Sequence, residues 1–437
     1  MRIAVMAHSF PSVSQTFVAD QITGLIDRGH QVEVWAWRRD DAAVAVADGD
    51  GRPDPHGLAG RTRYLPEPPC SSLGRIAGGV RSLLGGLATA PASTVRCLRT
   101  SRAGPSARTL RPLIEFSALR PGRSYDAVLC HFGPVGLSAV RMRDVGLLRG
   151  PIATVFHGSD MTRYLEKRGP RAYDRLFAAG DLFMPISDRW RERLLELGAP
   201  AARTCVHRMG VRTGTFRFTP RRRGDGGPVR LASVARLVEK KGIEYAIRAV
   251  ARAVEAGVEV RYVVVGDGPL RSRLEALVGE LGVADVVELA GSRTHEQVAA
   301  LLDASHLLLA PSVVAGDGDQ EGIPVALMEA MAMGLPVLTT RHSGIPELVE
   351  DGVHGRMVPE RDVDALAEAL LDLVECEAEW PTIGAAARVR VEQQHDADEL
   401  NDALVEVLAS MGGTRTAGPP DDGPPLTARM DGGASRG

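Results

Sequence analysis

Short, predominantly apolar runs rich in Val, Ile, Leu and Ala recur along the chain, and most are followed by a stretch in which apolar residues return every three or four positions. In the first half the runs are 3–7, 32–37, 127–132, 152–156 and 182–186. In the second half they are 229–234, 260–265, 286–289, 307–310 and 336–339. Runs that are nearly continuous in apolar residues, rather than alternating, belong to parallel strands covered by helices on both faces. The helical stretches are equally readable. Residues 14–28 open on a capping serine and stop before Gly29. Residues 243–256 place Ile243, Ile247, Val250 and Val254 on one face and stop at Gly257, 271–281 follow Pro269, and 363–376 repeat apolar positions at helical spacing. Right-handed crossovers then predict an α/β fold of doubly wound parallel sheets.

The rhythm breaks once. Residues 213–228 are rich in Arg and Gly, and a new strand starts at Val229. This spacing predicts two Rossmann-like domains, 1–212 and 229–380, joined by a linker and facing a central cleft. Residues 40–124 are less regular and read as an insertion of helices and loops. The Gly/Pro-rich residues 412–437 lack periodicity and are expected to be disordered.

Composition narrows the class. At 437 residues the chain can bury two cores. An apolar fraction of 44% with 24% charged residues excludes a collagen, a coiled coil or a wholly disordered chain. No apolar run reaches the length of a membrane span, and the start, MRIAVMAHSF, does not read as a secretory signal. Five scattered cysteines without CxxC spacing argue against a disulfide framework or zinc site and for a reducing, cytoplasmic setting. The net charge of −3 hides an asymmetry: residues 61–124 hold eleven Arg against Glu67 and Glu115 alone, a local balance of +9. Such a segment reads either as a surface for anionic lipid on the inner face of a membrane or a phosphorylated acceptor, or as a solvated subdomain. Nothing in the pattern calls for a nucleic-acid partner. Lysine is rare: of 52 basic residues only Lys167, Lys240 and Lys241 are lysines.

Several motifs sit at the carboxyl ends of the expected strands, where open α/β sheets collect ligands. After the first strand comes His8-Ser9-Phe10-Pro11-Ser12-Val13-Ser14-Gln15-Thr16-Phe17, without the GxGxxG of a dinucleotide site. Its polar loop, including Ser14 and Thr16, leads into a helix start that either meets a diphosphate across the cleft or is simply capped by Ser14. His131 in Cys130-His131-Phe132-Gly133, and His157 and Asp160 in Phe156-His157-Gly158-Ser159-Asp160, end two further strands. In the second half, Arg236 and Lys241 stand five residues apart across a strand-to-helix turn and could face one anion. Gly266 and the Gly291-Ser292-Arg293 triplet follow the next strands and could admit a ligand to the backbone.

The most specific stretch is 317–332. Pro324 suits a first helical turn, which leaves Glu321 in the preceding loop, near the amides of Gly322, Ile323 and Val325, with Glu329 inside the helix. Eight residues of helix span at most about 12 Å, whereas a retaining hydrolase needs its carboxyls about 5–5.5 Å apart. The two acids therefore suit the two ends of an elongated ligand such as a nucleotide sugar. Asp317 and Asp319 read as loop residues rather than a metal pair, and His342-Ser343-Gly344-Ile345-Pro346-Glu347 as another loop lining the cleft.

Together Phe10-Pro11, Ser14, Thr16-Phe17, His131-Phe132-Gly133, Phe156-His157-Gly158, Asp160, Glu321-Gly322-Ile323-Pro324, Glu329-Ala330-Met331-Ala332 and His342 to Glu347 resemble the retaining glycosyltransferases of family 4, which have the GT-B fold and a signature of two glutamates separated by seven residues. The resemblance is nearest to colanic-acid-type exopolysaccharide glycosyltransferases and covers the chain apart from about 40–124 and the tail. One departure is Arg212, where relatives usually carry Asp after Met-Gly-Val. The resemblance implies transfer of a hexosyl group from a nucleoside-diphosphate sugar, with UDP the commonest base, to a glycan, lipid-linked or small-molecule acceptor, without cofactor or metal. It implies that Arg236 and Lys241 neutralise the leaving diphosphate. Glu321 and the amides of Gly322, Ile323 and Pro324's neighbours would hold the sugar, and Glu329 the ribose. His157 would sit beside the transferred sugar, the Gly291 to Arg293 triplet would meet the base, and the last helical stretch, about 381–410, would cross back to the first domain.

Overall fold

The computed structural model describes residues 1–12, 15–39, 56–69, 71–98, 111–116, 122–224 and 226–413. Ser14, Cys70, parts of the 40–124 segment and residues 414–437 lie outside the described residues. The first half contains β1 (Arg2–Ser9), β2 (Gln31–Arg38), β3 (Thr62–Tyr64), β4 (Arg123–Ser124), β5 (Ala127–His131), β6 (Leu148–Arg149), β7 (Ile152–Phe156) and β8 (Leu182–Pro185). Six of these form one parallel sheet in the order β3-β2-β1-β5-β7-β8, with β4 and β6 as a separate small ladder. β1, β5 and β7 are buried through their centres because helices cover both faces. Those helices include α1 (Thr16–Asp27) and, beyond the insertion helices α2 (Ser72–Thr89), α3 (Pro91–Leu98) and α4 (Arg111–Phe116), also α5 (Gly133–Asp144) and α6 (Asp188–Glu196).

The second half repeats the plan. β9 (Val229–Val234), β10 (Val260–Val265), β11 (Val287–Gly291), β12 (Leu307–Ala310), β13 (Val337–Thr340) and β14 (Gly355–Val358) form a parallel sheet in the order β11-β10-β9-β12-β13-β14. Its helices are α7 (Ile243–Glu255), α8 (Arg271–Glu280), α9 (His295–Ala304), α10 (Val325–Ala332), α11 (Val363–Glu375) and α12 (Trp380–His395), followed by α13 (Ala397–Gly413). Local chemistry sets the boundaries. Thr294 and Gln297 make a reciprocal capping box at α9, and Asp362 caps α11. Each sheet reverses its strand order once, between β1 and β5 and between β9 and β12. The loops leaving those strands diverge there and open a crevice. This is the doubly wound, two-sheet GT-B architecture.

Three features differ from the expected elements. β3 and β14 are short edge strands whose mixed sequences, Thr62-Arg63-Tyr64 and Gly355-Arg356-Met357-Val358, carry no apolar run. The C-terminal stretch is two helices, because the Asp396 carboxylate accepts from the Asp398 and Glu399 amides and so caps a new helix. At this break Val211 N–H donates to His395 O, and Ala397 N–H donates to Val211 O. α12 packs on α10, whereas α13 packs on α1, where Arg28 pairs with Asp402 at 2.6 Å. Arg212, the residue that departs from the family pattern, donates to Thr23 Oγ1 on α1 at 2.7 Å. Residues past Val211 run under the second sheet, with Thr219 N–H and the buried Arg221 guanidinium both donating to Met333 O.

Candidate active site

The switch point of the second sheet brings the charged residues together. The loop after β9 and the loop after β12 are stitched by Val313 N–H donating to Lys240 O at 2.9 Å. Gly242 lies in the left-handed region, φ 64°, with the Pro311 carbonyl oxygen 1.8 Å from where a Cβ would stand. Only glycine lets these two backbones approach. The result places Lys241 Nζ 2.9 Å from Glu321 Oε2, and Lys240 Nζ 3.1 Å from Glu321 Oε1 and 3.3 Å from Asp319 Oδ2. Burial of Glu321 opposes its charge, but Lys241 and Lys240 outweigh it and pull the carboxyl down to about 2.

Behind Glu321 a chain of hydrogen bonds fixes the loop. Glu321 N–H donates to His342 Nε2 at 3.1 Å, which makes that nitrogen an acceptor. The His342 proton therefore sits on Nδ1, 2.6 Å from Glu360 Oε1, while Glu360 Oε2 accepts from Val314 N–H. His342 is fully buried, and burial lowers its pKa against the pull of Glu360. Asp319 answers Lys240, and Asp317 lies 3.7 Å from Arg163 of the first half, so both are loop-holding acids.

From across the crevice, the β7 loop meets this loop directly. A Cβ at Gly158 would stand 2.9 Å from Gln320 O and 3.1 Å from Gly322 N. His157 is nearly enclosed, between the rings of Phe17 (4.8 Å) and Phe132 (4.3 Å), with its Nε2 3.3 Å from His131 Nδ1. Burial first, then the neighbouring His131 and His207, push its pKa well below the usual value, so the ring is neutral. His131 is lowered to about 3 and His207 to about 4, chiefly by burial. A second strut joins the halves: Glu347 accepts from Asp188 N–H and Arg189 N–H, both at 2.9 Å, at the amino end of α6.

The sequence-based site is modified in several places. Glu321 is held by two lysines, where the amides of residues 322–325 were expected to surround it. Its partner set includes Lys240, which sequence reasoning noticed as half of a rare doublet but gave no task. The Arg236 side chain is exposed and makes no hydrogen bond or ion pair among the described residues, so it is not held on Glu321. His131 is completely buried behind His157, so it supports that ring and cannot meet a substrate directly. Asp160 is equally enclosed: its oxygens accept from Gly133 N–H and His157 N–H, both at 3.0 Å, clamping two strand-end loops. Burial raises its carboxyl to about 6 against the pull of those amides. Gly266, φ 134°, makes room for the Ala235 carbonyl, 1.9 Å from its would-be Cβ, instead of for a ligand.

Pro324 is the N-cap of α10, one residue before its expected place, and Ile323 is buried beside Gly344. Glu329 is buried in the second turn of α10, and its carboxyl makes no hydrogen bond or ion pair among the described residues. Burial lifts its pKa, with His295 opposing and Asp20 of α1 adding to the rise. Ser292 and Arg293 are exposed after β11, and Thr16 is the half-buried first residue of α1. Glu360, Asp20 and His295 were not anticipated. They lie far apart in sequence and belong to no motif, so no local signal marks them.

The chain has counterparts among known proteins. The profile described as "Glycosyl transferases group 1" matches residues 219–390. AmsK of Erwinia amylovora, an amylovoran biosynthesis glycosyltransferase, is 36% identical, with 93% of this chain and 99% of AmsK covered. WcaL of Escherichia coli K12, a candidate colanic acid biosynthesis glycosyltransferase, is 39% identical over 94% of this chain and all of WcaL. The chain belongs to the group 1 glycosyltransferases. Among solved structures, Anabaena HepE in complex with UDP and glucose superposes with a TM-score of 0.67 at 19% identity, covering 94% of this chain and all of HepE. Sucrose-phosphate synthase of Thermosynechococcus elongatus gives the same TM-score at 17% identity, covering 94% and 99%. Both carry the same fold as this glycosyltransferase.

Proposed function

We propose that this glycosyltransferase moves a hexosyl group from a UDP-sugar to an acceptor hydroxyl, with retention of anomeric configuration, in the assembly of an exopolysaccharide. The observation that carries the reading is the buried Glu321 carboxylate bracketed by Lys240 and Lys241 at a strand-order switch, facing the His157 loop. The acceptor class is supported by the relatives named for colanic acid and amylovoran biosynthesis, and the base by a neighbour of the same fold described with UDP and glucose.

In the proposed reaction the bond from the anomeric carbon to the diphosphate oxygen breaks, and a bond to the acceptor oxygen forms on the same face. The acceptor proton passes to the leaving phosphate oxygen, so no side chain need act as base. Lys241, held by Glu321, and the exposed Arg236 offset the charge that grows on the diphosphate. Glu321 accepts hydrogen bonds from sugar hydroxyls, and Glu329 takes the ribose hydroxyls, which supply the donors that its buried carboxyl lacks. The neutral His157 ring offers one face of the sugar an uncharged hydrogen-bonding group. Positive charge from Arg236 and Lys241 takes the place of a divalent ion, so turnover should persist in a chelator.

A panel of UDP-, GDP-, ADP- and dTDP-sugars tests the donor, because ligand binding stabilises the native state as ln(1 + [L]/Kd). A UDP-sugar should raise Tm and be consumed, giving an α-linked product from an α-linked donor. If none of the panel shifts Tm or is consumed, the donor assignment fails, and an inverted product overturns the stereochemistry.

A further inference from the structure

The insertion helix α2 is turned inside out. Gly79 is its buried residue, and Gly78 and Gly86 face the neighbouring helices: their would-be Cβ atoms lie 3.3 Å from Ile114 on α4 and 2.5 Å from Thr94 on α3. Leu83 packs inward on the core, but the other large apolar side chains point the other way. Leu73 (82% exposed), Ile76, Val80, Leu84 (66%) and Leu87 are all exposed, at spacings of three and four. They form one stripe about 21 Å long at 1.5 Å per residue. Val95 and Leu98 of α3 are exposed as well.

Exposed apolar residues scattered singly are ordinary, but a contiguous stripe on one helix marks an interaction surface. Its electrostatic setting points to the partner. Residues 71–98 contain Arg75, Arg81 and Arg96 and no acidic residue or lysine, within the 61–124 segment of net +9. A second copy of this chain would bring two such positive segments together with nothing to offset them. A bilayer of anionic lipid offsets the charge and takes up the stripe without needing hydrogen bonds from it. No described helix is long and apolar enough to cross a membrane, and 18 residues with one apolar face fit the bilayer interface instead.

We propose that α2 is an interfacial helix that docks the protein on an anionic membrane surface, with Leu73, Ile76, Val80, Leu84 and Leu87 in the acyl boundary and the exposed Arg81 at the headgroups. The reading is independent of the donor and of the stereochemistry proposed above.

The test is cosedimentation of the full chain with phosphatidylglycerol/phosphatidylcholine vesicles and with phosphatidylcholine alone. Binding is expected to the anionic vesicles, to weaken as salt rises, and to fall roughly tenfold or more in Leu73→Ser/Leu84→Ser, since each buried leucine contributes strongly to partitioning. Both sites are exposed, so the variant should melt like the wild type. Hydrogen exchange on the unaltered protein gives a second readout: vesicles should protect residues 72–89. Wild-type protein left in the supernatant overturns the proposal, as does a variant that binds as well as the wild type, or protection elsewhere with 72–89 unchanged. A wild-type dimer that ignores vesicles and that the double substitution splits would assign the stripe to a second copy instead.

Discussion

Lys240 and Lys241 hold one carboxylate between them, and that shared grip sets the chemistry of Glu321. Lys241→Ala should lower kcat/KM by roughly ten- to a hundredfold, the worth of a charged hydrogen bond of about 1.5–3 kcal/mol. A wild-type value would remove its assigned role. The pair also makes a pH prediction. The folded carboxyl of Glu321 is lowered to about 2, below its unfolded value, so its stabilisation is complete above about pH 4.5 and is lost as pH falls toward 2. The Tm difference between wild type and Glu321→Gln should therefore be largest near pH 6 and narrow steadily below about pH 4. A constant difference across that range would contradict the ion-pair account. At this scale the lysine doublet was legible because lysine is so rare in the chain, and Glu321 because its loop leads into a Pro-started helix. Glu360 was not, since its bond to His342 depends on how β13 and β14 pair.

Elements place these residues by letting backbones touch. Gly242 is the tightest such point, with the Pro311 carbonyl where a side chain would begin and φ at 64°. Gly242→Ala should cost stability by about 1–3 kcal/mol from backbone strain alone, read from urea unfolding. It should also reduce turnover, because the lysine loop must move off Pro311. Unchanged stability would mean the two loops are not held as described. The central strands of both sheets were readable from their apolar runs, since burial on both faces leaves little freedom of composition. β3 and β14 were hidden because edge strands tolerate polar residues. The break between α12 and α13 was overshadowed by the continuous helical spacing, although its signal is local: the Asp396 oxygen that caps α13 accepts from the amides two and three residues on. Asp160 misled for a related reason: a polar residue after a strand serves a ligand or a neighbouring backbone equally well, and here the amides of Gly133 and His157 take both oxygens.

At the scale of the molecule, the two halves meet through contacts that include Gly158 against the Glu321 loop, Glu347 on the α6 amides, and α13 on α1. Glu347→Ala leaves two helix-start amides without their acceptor and should lower the urea midpoint by the equivalent of about 0.5–2 kcal/mol. A larger loss in turnover than in stability would place the strut's main effect on the alignment of the two halves. The two-domain plan was legible from the repeated strand–helix rhythm and its single interruption. Which loops touch across the crevice was not, because those contacts join residues more than a hundred positions apart. The central claim is that a donor diphosphate lies between Arg236, Lys241 and the Glu321 loop. A crystal structure of the protein with UDP tests it most directly. The β-phosphate should lie within hydrogen-bond distance of Lys241 Nζ and the Arg236 guanidinium, with the ribose hydroxyls on Glu329. A diphosphate bound elsewhere, with Lys241 still closed on Glu321 and Glu329 untouched, would contradict it.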